Sequence, residues 1–404
     1  MKVMVINSGS SSIKYKLYRS DTWRSVAAGT VTRIGETEGE MKCRWTADDG
    51  AEQNRVQSLP IPNHRVGLDR IVAGLHETGA LADVSELAAI GHRVVHGGEQ
   101  FSRATRVDDH VAAVIRDLIP LAPLHNPAAL DGIEVARDLF PSVPQVAVFD
   151  NAFHQTMPPE AYRYAIPEYL YREHRVRRYG FHGTSHYYVA KRAAVLLGRP
   201  LAECNLITLH LGNGASATAI RAGQSVDTSM GLTPLEGLVM GTRCGDIDPA
   251  IHFYLCRNAD MGTDALDALF NRQSGLLGIC GVNDMREIHR LAGEGDRNAQ
   301  LAVGIFCHRL KKYLGAYYAE LGRVDAVVFT GGIGENDADV RQRTCAGLET
   351  LGIHLDAGAN ASPGGGERAI TSADSPVKVL VIPTNEELEI AQQAFAAVVG
   401  DQAA

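Results

Sequence analysis

Cysteine is scarce in the sequence, and its spacing excludes two kinds of structural support. The seven cysteines are odd in number and widely separated, and none forms a CxxC pair. Neither a disulfide framework nor a structural zinc site is therefore indicated. Long apolar runs are also missing, because charge or glycine interrupts them before the roughly 18 residues of a membrane-spanning helix. Residues 1–6 are too short for a signal-peptide core, so we expect a cytoplasmic protein.

An excess of positive charge is missing as well. Lysine and arginine total 39 against 47 aspartate and glutamate residues, which leaves a net charge of -8. That balance argues against a nucleic-acid or anionic-membrane partner. A hydrophobic content of 45% and a charged content of 21% are ordinary for a folded globular protein. A chain of 404 residues predicts two or three domains.

Glycine, by contrast, is abundant at 41 residues, and three glycine-rich turns each follow a predicted strand. The first lies in a hairpin over residues 2–18, the second at residues 212–214, and the third is a loop at residues 331–336. Glycine lets backbone N–H groups approach an anion closely. None of the three is a Walker A loop or a GxGxxG segment. One such turn is more often a plain hairpin, but three with polar flanks point to phosphate binding.

Strand and helix patterns alternate along the chain, which favours an α/β architecture. The strand–glycine turn–strand unit that begins near residue 2 returns near residue 205, which suggests a duplicated domain. We expect surface strands and loops over residues 35–63 and a connecting segment over residues 158–178. Helices are predicted at residues 66–79, 108–119, 185–197 and 385–399, and further strands at residues 88–95, 143–149 and 324–330.

Five motifs, taken together, resemble those of the acetokinase family. The resemblance covers essentially the whole chain, in the family's order, and implies two duplicated actin-like ATPase (ribonuclease H-like) domains with a central nucleotide cleft. It implies an N-terminal lobe (residues 1–150 plus 385–404) on the acyl-substrate and metal side, and a nucleotide-binding C-terminal lobe (residues 151–384). The motifs are NSGSSSIK at 7–14, YGFHGTSH at 179–186, HLGNGAS at 210–216, FTGGIGEN at 329–336 and PTNEE at 383–387.

The resemblance implies a reversible, direct in-line transfer of the γ-phosphoryl group of ATP to acetate, giving acetyl phosphate and ADP. Propionate is the alternative acceptor. Mg²⁺ is the implied metal, with Mn²⁺ as a substitute, and Asn7 and Glu386 match the family's metal-site positions. The family also implies a homodimer. A non-enzymatic nucleotide switch is the rival function, but it would need neither an acyl pocket nor an arginine for the acid.

Charged residues in the matching motifs receive roles from the resemblance. Arg93 is expected to hold the substrate carboxylate, and Arg243 to stabilise the phosphoryl group in transit. Taken alone, an arginine with a nearby aspartate is more often an ion pair.

Asp150 matches the catalytic aspartate of the family. Acetate is already ionised at pH 7, so no proton must be removed, and we expect Asp150 to organise Mg²⁺ and its waters rather than act as a base. His182 is expected to stabilise the transition state, with His125 and His210 contacting the γ-phosphoryl group.

The remaining predicted contacts divide between the acyl pocket and the nucleotide. Four residues match the family's apolar pocket for the substrate methyl group, namely Val95, Leu124, Phe181 and Pro234; without the match each would be assigned to the core. The nucleotide-side matches are Ser10, Ser12 and Lys14, the turn His210, Leu211, Gly212, Asn213 and Gly214, the segment Asp284, Met285 and Arg286, and the loop Gly331, Gly332, Ile333, Gly334, Glu335 and Asn336.

Overall fold

A computed structural model describes residues 1–47, 50–123 and 125–401. The chain divides into two compact units, the first formed by residues 1–152 with the C-terminal segment from residue 385, and the second by residues 153–384. Among the described residues, no helix has both the length and the apolar character needed to cross a membrane.

The first unit is built on an eight-stranded mixed sheet with the order β5-β4-β3-β2-β1-β6-β8-β7. Strands β1 to β5 are joined as antiparallel neighbours, whereas β6 and β8 run parallel to β1. The strands are β1 (Lys2–Gly9), β2 (Ser12–Arg19), β3 (Ser25–Thr32), β4 (Gly39–Thr46), β5 (Glu52–Leu59), β6 (Leu87–Val94), β7 (Thr105–Arg106) and β8 (Gln145–Phe149).

The second unit is built on a six-stranded mixed sheet with the order β11-β10-β9-β12-β14-β13. Its antiparallel triplet β9 to β11 is followed by the parallel strands β12 and β14, which is the arrangement of β1 to β3, β6 and β8 in the first sheet. The predicted duplication is therefore confirmed at the level of strand order. The strands are β9 (Leu206–Leu211), β10 (Ala215–Arg221), β11 (Gln224–Thr228), β12 (Ala326–Thr330), β13 (Arg368–Ala369) and β14 (Lys378–Val381).

Helices surround each sheet. The α-helices are α1 (His64–Glu77), α2 (Asp109–Asp117), α3 (Asn126–Leu139), α4 (Pro159–Tyr162), α5 (Glu168–His174), α6 (Gly183–Leu197), α7 (Ala250–Asn258), α8 (Thr263–Arg272), α9 (Gly275–Cys280), α10 (Met285–Gly293), α11 (Arg297–Leu321), α12 (Gly331–Asn336), α13 (Ala338–Cys345), α14 (Ala357–Ala361) and α15 (Glu386–Asp401). Short 3-10 helices occupy Val84–Glu86, Ile119–Leu121, Ala152–Thr156, Leu201–Glu203 and Glu349–Leu351.

Most predicted elements are confirmed, and one expectation needs correction. Residues 331–336, predicted as a loop, form the short helix α12, in which Glu335 accepts a hydrogen bond from the N–H of Gly331. The predicted connecting segment contains the short helices α4 and α5. The surface strands predicted within residues 35–63 are confirmed as β4 and β5, whose polar side chains suit a half-exposed sheet.

Strand β1 is buried on both faces, since successive side chains alternate between two clusters. Met4 and Ile6 pack with residues of α1 and α3, whereas Val3 and Val5 pack with residues of α15. Strand β6 approaches α15 closely at Gly91, where an added Cβ would lie 2.9 Å from Ile390 Cγ2. A glycine is therefore needed for this part of the C-terminal helix to seat on the sheet.

We expect a Gly91→Ala variant to lose about 1–3 kcal/mol of unfolding free energy, because the new methyl group overpacks the contact between β6 and α15. Urea unfolding measures the loss. Gly304→Ala is the matched control, since nothing lies within 4 Å of that Cβ position and alanine favours a helix interior. Equal stability of the two variants would contradict the close packing at Gly91.

Candidate active site

Arg93 and Asp150 meet at the carboxyl ends of β6 and β8, which are neighbouring parallel strands. The Arg93 Nη2 atom donates to Asp150 Oδ2 at 2.6 Å, and Nε donates to Oδ1 at 3.1 Å. The Asp150 side chain is 2% exposed, against 26% for Arg93. The carboxylate of Asp150 raises the pKa of Arg93 despite burial. In the described part of the chain Nη1 of Arg93 makes no hydrogen bond, so one edge of the guanidinium stays available to an anion.

A cavity of about 200 Å³ adjoins this arginine in the first unit. Its lining combines polar groups with a small apolar surface, which suits a short carboxylic acid. Of the predicted residues, Ser10 is exposed in the hairpin turn rather than in the lining, and Leu124 lies outside the described residues. The cavity is lined by Asn7, Ser8, Gly9, Ser12, Lys14, Arg93, Val95, His125 and Ala129.

Two buried asparagines, which the sequence did not single out, fix the backbone that follows Arg93. Asn126 Oδ1 accepts from the N–H of His96 at 3.2 Å, and Asn151 Oδ1 accepts from the N–H of Gly97 at 2.8 Å. Each amide also donates to a carbonyl of the same loop. Residues 96–98 are thereby held in place beside Val95.

The predicted metal residues carry oxygen donors and surplus negative charge. Glu386 begins α15, and although its side chain still reaches solvent, burial raises its pKa to about 7, with the carboxylates of Asp150 and Glu387 adding to the effect. Lys14 and Arg93 oppose it. No closed cage of three or more metal-binding side chains occurs among the described residues. A divalent cation that retains several waters, such as Mg²⁺, fits this donor set.

In the second unit, His182 and Arg243 converge on one point beside the glycine turn of β9 and β10. A Cβ added at Gly214 would lie 3.5 Å from both His182 Nε2 and Arg243 Nη2. His182 holds a left-handed backbone, with φ at 55°, immediately before α6. Such a conformation is unfavourable for a residue with a side chain, and here it accompanies a ring directed at the glycine turn.

Arg243 is a half-buried cation that has no acidic partner among the described residues. Its Nη1 atom donates to the carbonyl of Pro234 at 2.7 Å, and burial lowers its pKa. Arginines in folded proteins are usually paired when they are buried. An arginine that is partly shielded from water and has no carboxylate partner among the described residues is therefore suited to bind an anion that arrives from outside.

His182 and His210 stack with ring centroids 4.3 Å apart. His210 Nδ1 lies 2.8 Å from the hydroxyl of Ser185, which in turn contacts Thr384. Behind His182 lie Ser216 and His186, both fully buried. Sequence reasoning missed these two residues, although both belong to motifs that carry predicted site residues, His186 to residues 179–186 and Ser216 to residues 210–216.

The glycine turn at residues 212–214 is closed by two backbone hydrogen bonds. The Gly212 N–H donates to the Gly214 carbonyl at 3.0 Å, and the Gly241 N–H donates to the Asn213 carbonyl at 2.9 Å. Leu211 is fully buried beneath the turn, whereas Asn213 is exposed. The predicted phosphate turn thus lies near the side chains of His182 and Arg243 at Gly214. It is bonded at Asn213 to Gly241, in the segment that precedes Arg243.

The other predicted nucleotide residues occupy two short regions of the second unit. At α12, Glu335 Oε1 accepts from the Gly331 N–H at 2.9 Å, while Asn336 Nδ2 donates to the Gly332 carbonyl. Apart from its own helix, no described residue has an atom within 4 Å of the Cβ position of Gly332. The predicted residues Ile333 and Gly334 complete this helix.

At the start of α10, Asp284 accepts from the Arg286 N–H and pairs with its guanidinium, which is 91% exposed, while Met285 is buried. Of the pocket residues predicted in this unit, Phe181 is buried and Pro234 half-buried.

Comparison with known proteins decides the family. The model of the acetokinase family matches residues 2–392. The chain belongs to the acetokinase family. A relative from Syntrophobacter fumaroxidans named acetate kinase is 55% identical over 394 residues, which cover 97% of this chain and 96% of that protein.

Two solved structures resemble this acetokinase-family chain along almost its whole length. The crystal structure of Porphyromonas gingivalis acetate kinase has a TM-score of 0.93 at 42% identity, covering 98% of this chain and 99% of that one. A propionate kinase from Francisella tularensis subsp. tularensis SCHU S4 has a TM-score of 0.89 at 43% identity, covering 97% and 98%. The predicted fold class, an α/β protein of the actin-like ATPase fold family, is confirmed.

Proposed function

We propose that this acetokinase-family chain is an acetate kinase, which reversibly transfers the γ-phosphoryl group of ATP to acetate and forms acetyl phosphate and ADP. The observation that carries the proposal is the convergence of His182 Nε2 and Arg243 Nη2 beside Gly214. Both groups can donate hydrogen bonds to the same point, and Arg243 is half-buried with no carboxylate partner among the described residues. Such a pair suits a transferring phosphoryl group.

The first unit takes the acyl substrate. In the proposed role, the free edge of the Arg93 guanidinium binds the acetate carboxylate, because a planar fork of N–H donors matches a carboxylate. Asp150 holds the other edge through its three hydrogen bonds and so orients the fork. Since acetate is ionised at pH 7, Asp150 acts through position and charge, and no proton passes to it.

A divalent cation belongs to the family's reaction, and we assign it to Asn7 and Glu386, with Asp150 ordering its waters. When bound, the cation neutralises phosphate charge and orients the phosphate oxygens. Mg²⁺ is the proposed ion and Mn²⁺ a substitute. The Glu386 carboxylate, whose pKa is raised to about 7 by burial and neighbouring acids, gains a counter-charge in that arrangement.

Nucleotide contacts are assigned to the second unit and to the first hairpin. Lys14, Ser10, Ser12 and the turn at residues 210–214 are proposed to meet the phosphates, with His125 and His210 near the γ-phosphoryl group. The segments 284–286 and 331–336 are proposed to meet the adenosine. A homodimer and a cytoplasmic location remain predictions from the family and the sequence.

The acid preferred by the chain is the finer part of the proposal. The two solved structures do not discriminate, since an acetate kinase and a propionate kinase match at 42% and 43% identity. Curated relatives at 54–56% identity are named acetate kinase, and this favours acetate. Val95, half-buried beside Arg93 in the cavity, leaves little room for an extra methylene.

The direct test is to measure kcat/KM for acetate, propionate and butyrate, with the acyl phosphate trapped as its hydroxamate. We expect acetate to be preferred to propionate by about 10- to 100-fold, since one methylene is worth about 1–3 kcal/mol in a tight pocket. In Val95→Ala the preference should shrink about tenfold because the cavity deepens. ATP turnover that is independent of any acid, with no hydroxamate, would instead indicate a nucleotide switch.

A further inference from the structure

Three buried side chains form a continuous line behind His182 in the second unit. Ser216 Oγ lies 2.9 Å from His182 Nδ1 and 2.7 Å from His186 Nε2. On the far side, His186 Nδ1 lies 2.7 Å from Thr208 Oγ1. Thr208, His186 and Ser216 are all fully buried, so no solvent molecule competes for these contacts at the surface.

The hydrogen bonds in this line can be arranged with their donors pointing in only two directions. Burial, with the fields of His154 and His210, lowers the pKa of His186 well below its usual value, so its ring is neutral and carries one N–H. Ser216 Oγ could accept from both histidines only if its own hydroxyl proton had no acceptor in a fully buried site, which is unfavourable. Ser216 therefore donates to one histidine and accepts from the other. The direction at His186 therefore fixes the direction at His182.

Thr208 selects between the two directions. Its hydroxyl has no other hydrogen-bond partner among the described residues. If His186 Nδ1 donated to Thr208, the threonine proton would be left without an acceptor inside a fully buried site, which is unfavourable. If Thr208 donates instead, every proton in the line has an acceptor, because His186 Nε2 then donates to Ser216 and Ser216 donates to His182 Nδ1.

We propose that Thr208, His186 and Ser216 form a one-way hydrogen-bond chain that holds His182 in its Nε2–H tautomer. Nδ1 of His182 is then an acceptor, and the proton lies on Nε2, the nitrogen that approaches Gly214 together with Arg243. An N–H at that position donates to an anionic oxygen, whereas the opposite tautomer would present a lone pair to it. The catalytic role of this hydrogen-bond chain rests on the proposed function and deepens it. The assignment of the His182 tautomer does not depend on the proposed function.

The tautomer is measured directly on full-length protein labelled with ¹⁵N-histidine, without any substrate, using His182→Asn only to identify the signal. We expect the wild type to show a protonated Nε2 and an unprotonated Nδ1. The opposite tautomer in the wild type would overturn the proposal. Because this measurement needs no turnover, its result does not depend on whether the protein is an acetate kinase.

Thr208→Val tests the far end of the chain with a side chain of the same shape. We expect mixed tautomers at His182 and a kcat lower by about tenfold with KM for acetate and ATP unchanged, because only the donor role is weakened. Thr218→Val is the matched control, since Thr218 is fully buried, pairs with Thr208 across β9 and β10, and bonds to Thr228 rather than to a histidine. An unaltered His182 signal in Thr208→Val would refute the chain.

Ser216→Ala gives a second readout through the pH titration of His182. A hydroxyl that donates to Nδ1 opposes protonation there, so its removal should raise the pKa of His182; a hydroxyl that accepted from Nδ1 would give a fall. Among the described residues, the titratable and charged groups near His182 include His186, His210 and Arg243, and His154 lies near His186. A fall in the pKa would reverse the proposed direction.

Discussion

In an Arg243→Ala variant, we expect kcat for acetyl phosphate formation to fall about 100- to 1,000-fold, the usual effect of removing one preorganised stabiliser of transition-state charge. Arg243 Nη2 and His182 Nε2 each lie 3.5 Å from the Cβ position of Gly214. The variant therefore removes one of the two groups proposed to stabilise the transferring phosphoryl group. KM for acetate should change little, because the acid is assigned to Arg93. Steady-state kinetics with hydroxamate detection measure both constants.

The stability of the same variant should stay unchanged or rise, and this separates a functional arginine from a structural one. Arg243 has no acidic partner among the described residues, burial lowers its pKa, and its deletion removes a charge that is costly to desolvate. Within the described part of the chain, the one side-chain hydrogen bond that the variant loses is that to the Pro234 carbonyl. A loss of stability with normal kcat would assign Arg243 a structural role.

Two variants serve as controls for this prediction. Arg243→Lys keeps the charge but lacks the planar fork, so we expect intermediate kcat. Arg221→Ala removes an exposed arginine paired with Glu320, and kcat should match the wild type.

The sequence predicted those parts of the fold that depend on local pattern. The hairpin of β1 and β2 and its counterpart β9 and β10 follow from alternating apolar residues around glycine turns, and both are present. Helix α12 was predicted as a loop because three of its six residues are glycine. Its helical turn depends on Glu335, which accepts from the Gly331 N–H, a contact that composition does not reveal.

The contacts that give the candidate site its chemistry depend on long-range register. Arg93 and Asp150 were each singled out, yet their pairing requires β6 and β8 to be parallel neighbours. Ser216 reaches His186 only because β10 pairs with β9 in one particular register. Motifs identify residue types along the chain, whereas these distances are set by sheet topology.

A second large effect is expected for Arg93→Ala. It should appear mainly in KM for acetate, whereas Arg243→Ala should mainly lower kcat. We expect KM for acetate to rise about 100-fold, with kcat also reduced, because the bidentate contact to the carboxylate is lost. KM for ATP should stay near the wild-type value. Acetate kinetics identical to those of the wild type would remove Arg93 from the substrate site.

Arg93→Ala should also destabilise the protein by about 3 kcal/mol, because a buried carboxylate is left without its partner. Asp150 is 2% exposed and receives three hydrogen bonds from Arg93. Urea unfolding measures the loss. Arg19→Ala is the matched control, since the Arg19–Asp21 pair is exposed on both sides and such pairs contribute about 0–1 kcal/mol.

Combining Arg93→Ala with Asp150→Asn separates the two roles of the arginine. Removing the orphaned charge should restore most of the lost stability, since an asparagine of the same shape requires no counter-ion. The use of acetate should not return, because the groups that bind and orient the carboxylate are both absent. Recovery of acetate turnover together with stability would mean that Arg93 serves only to neutralise Asp150, and the acyl site would then have to lie elsewhere in the chain.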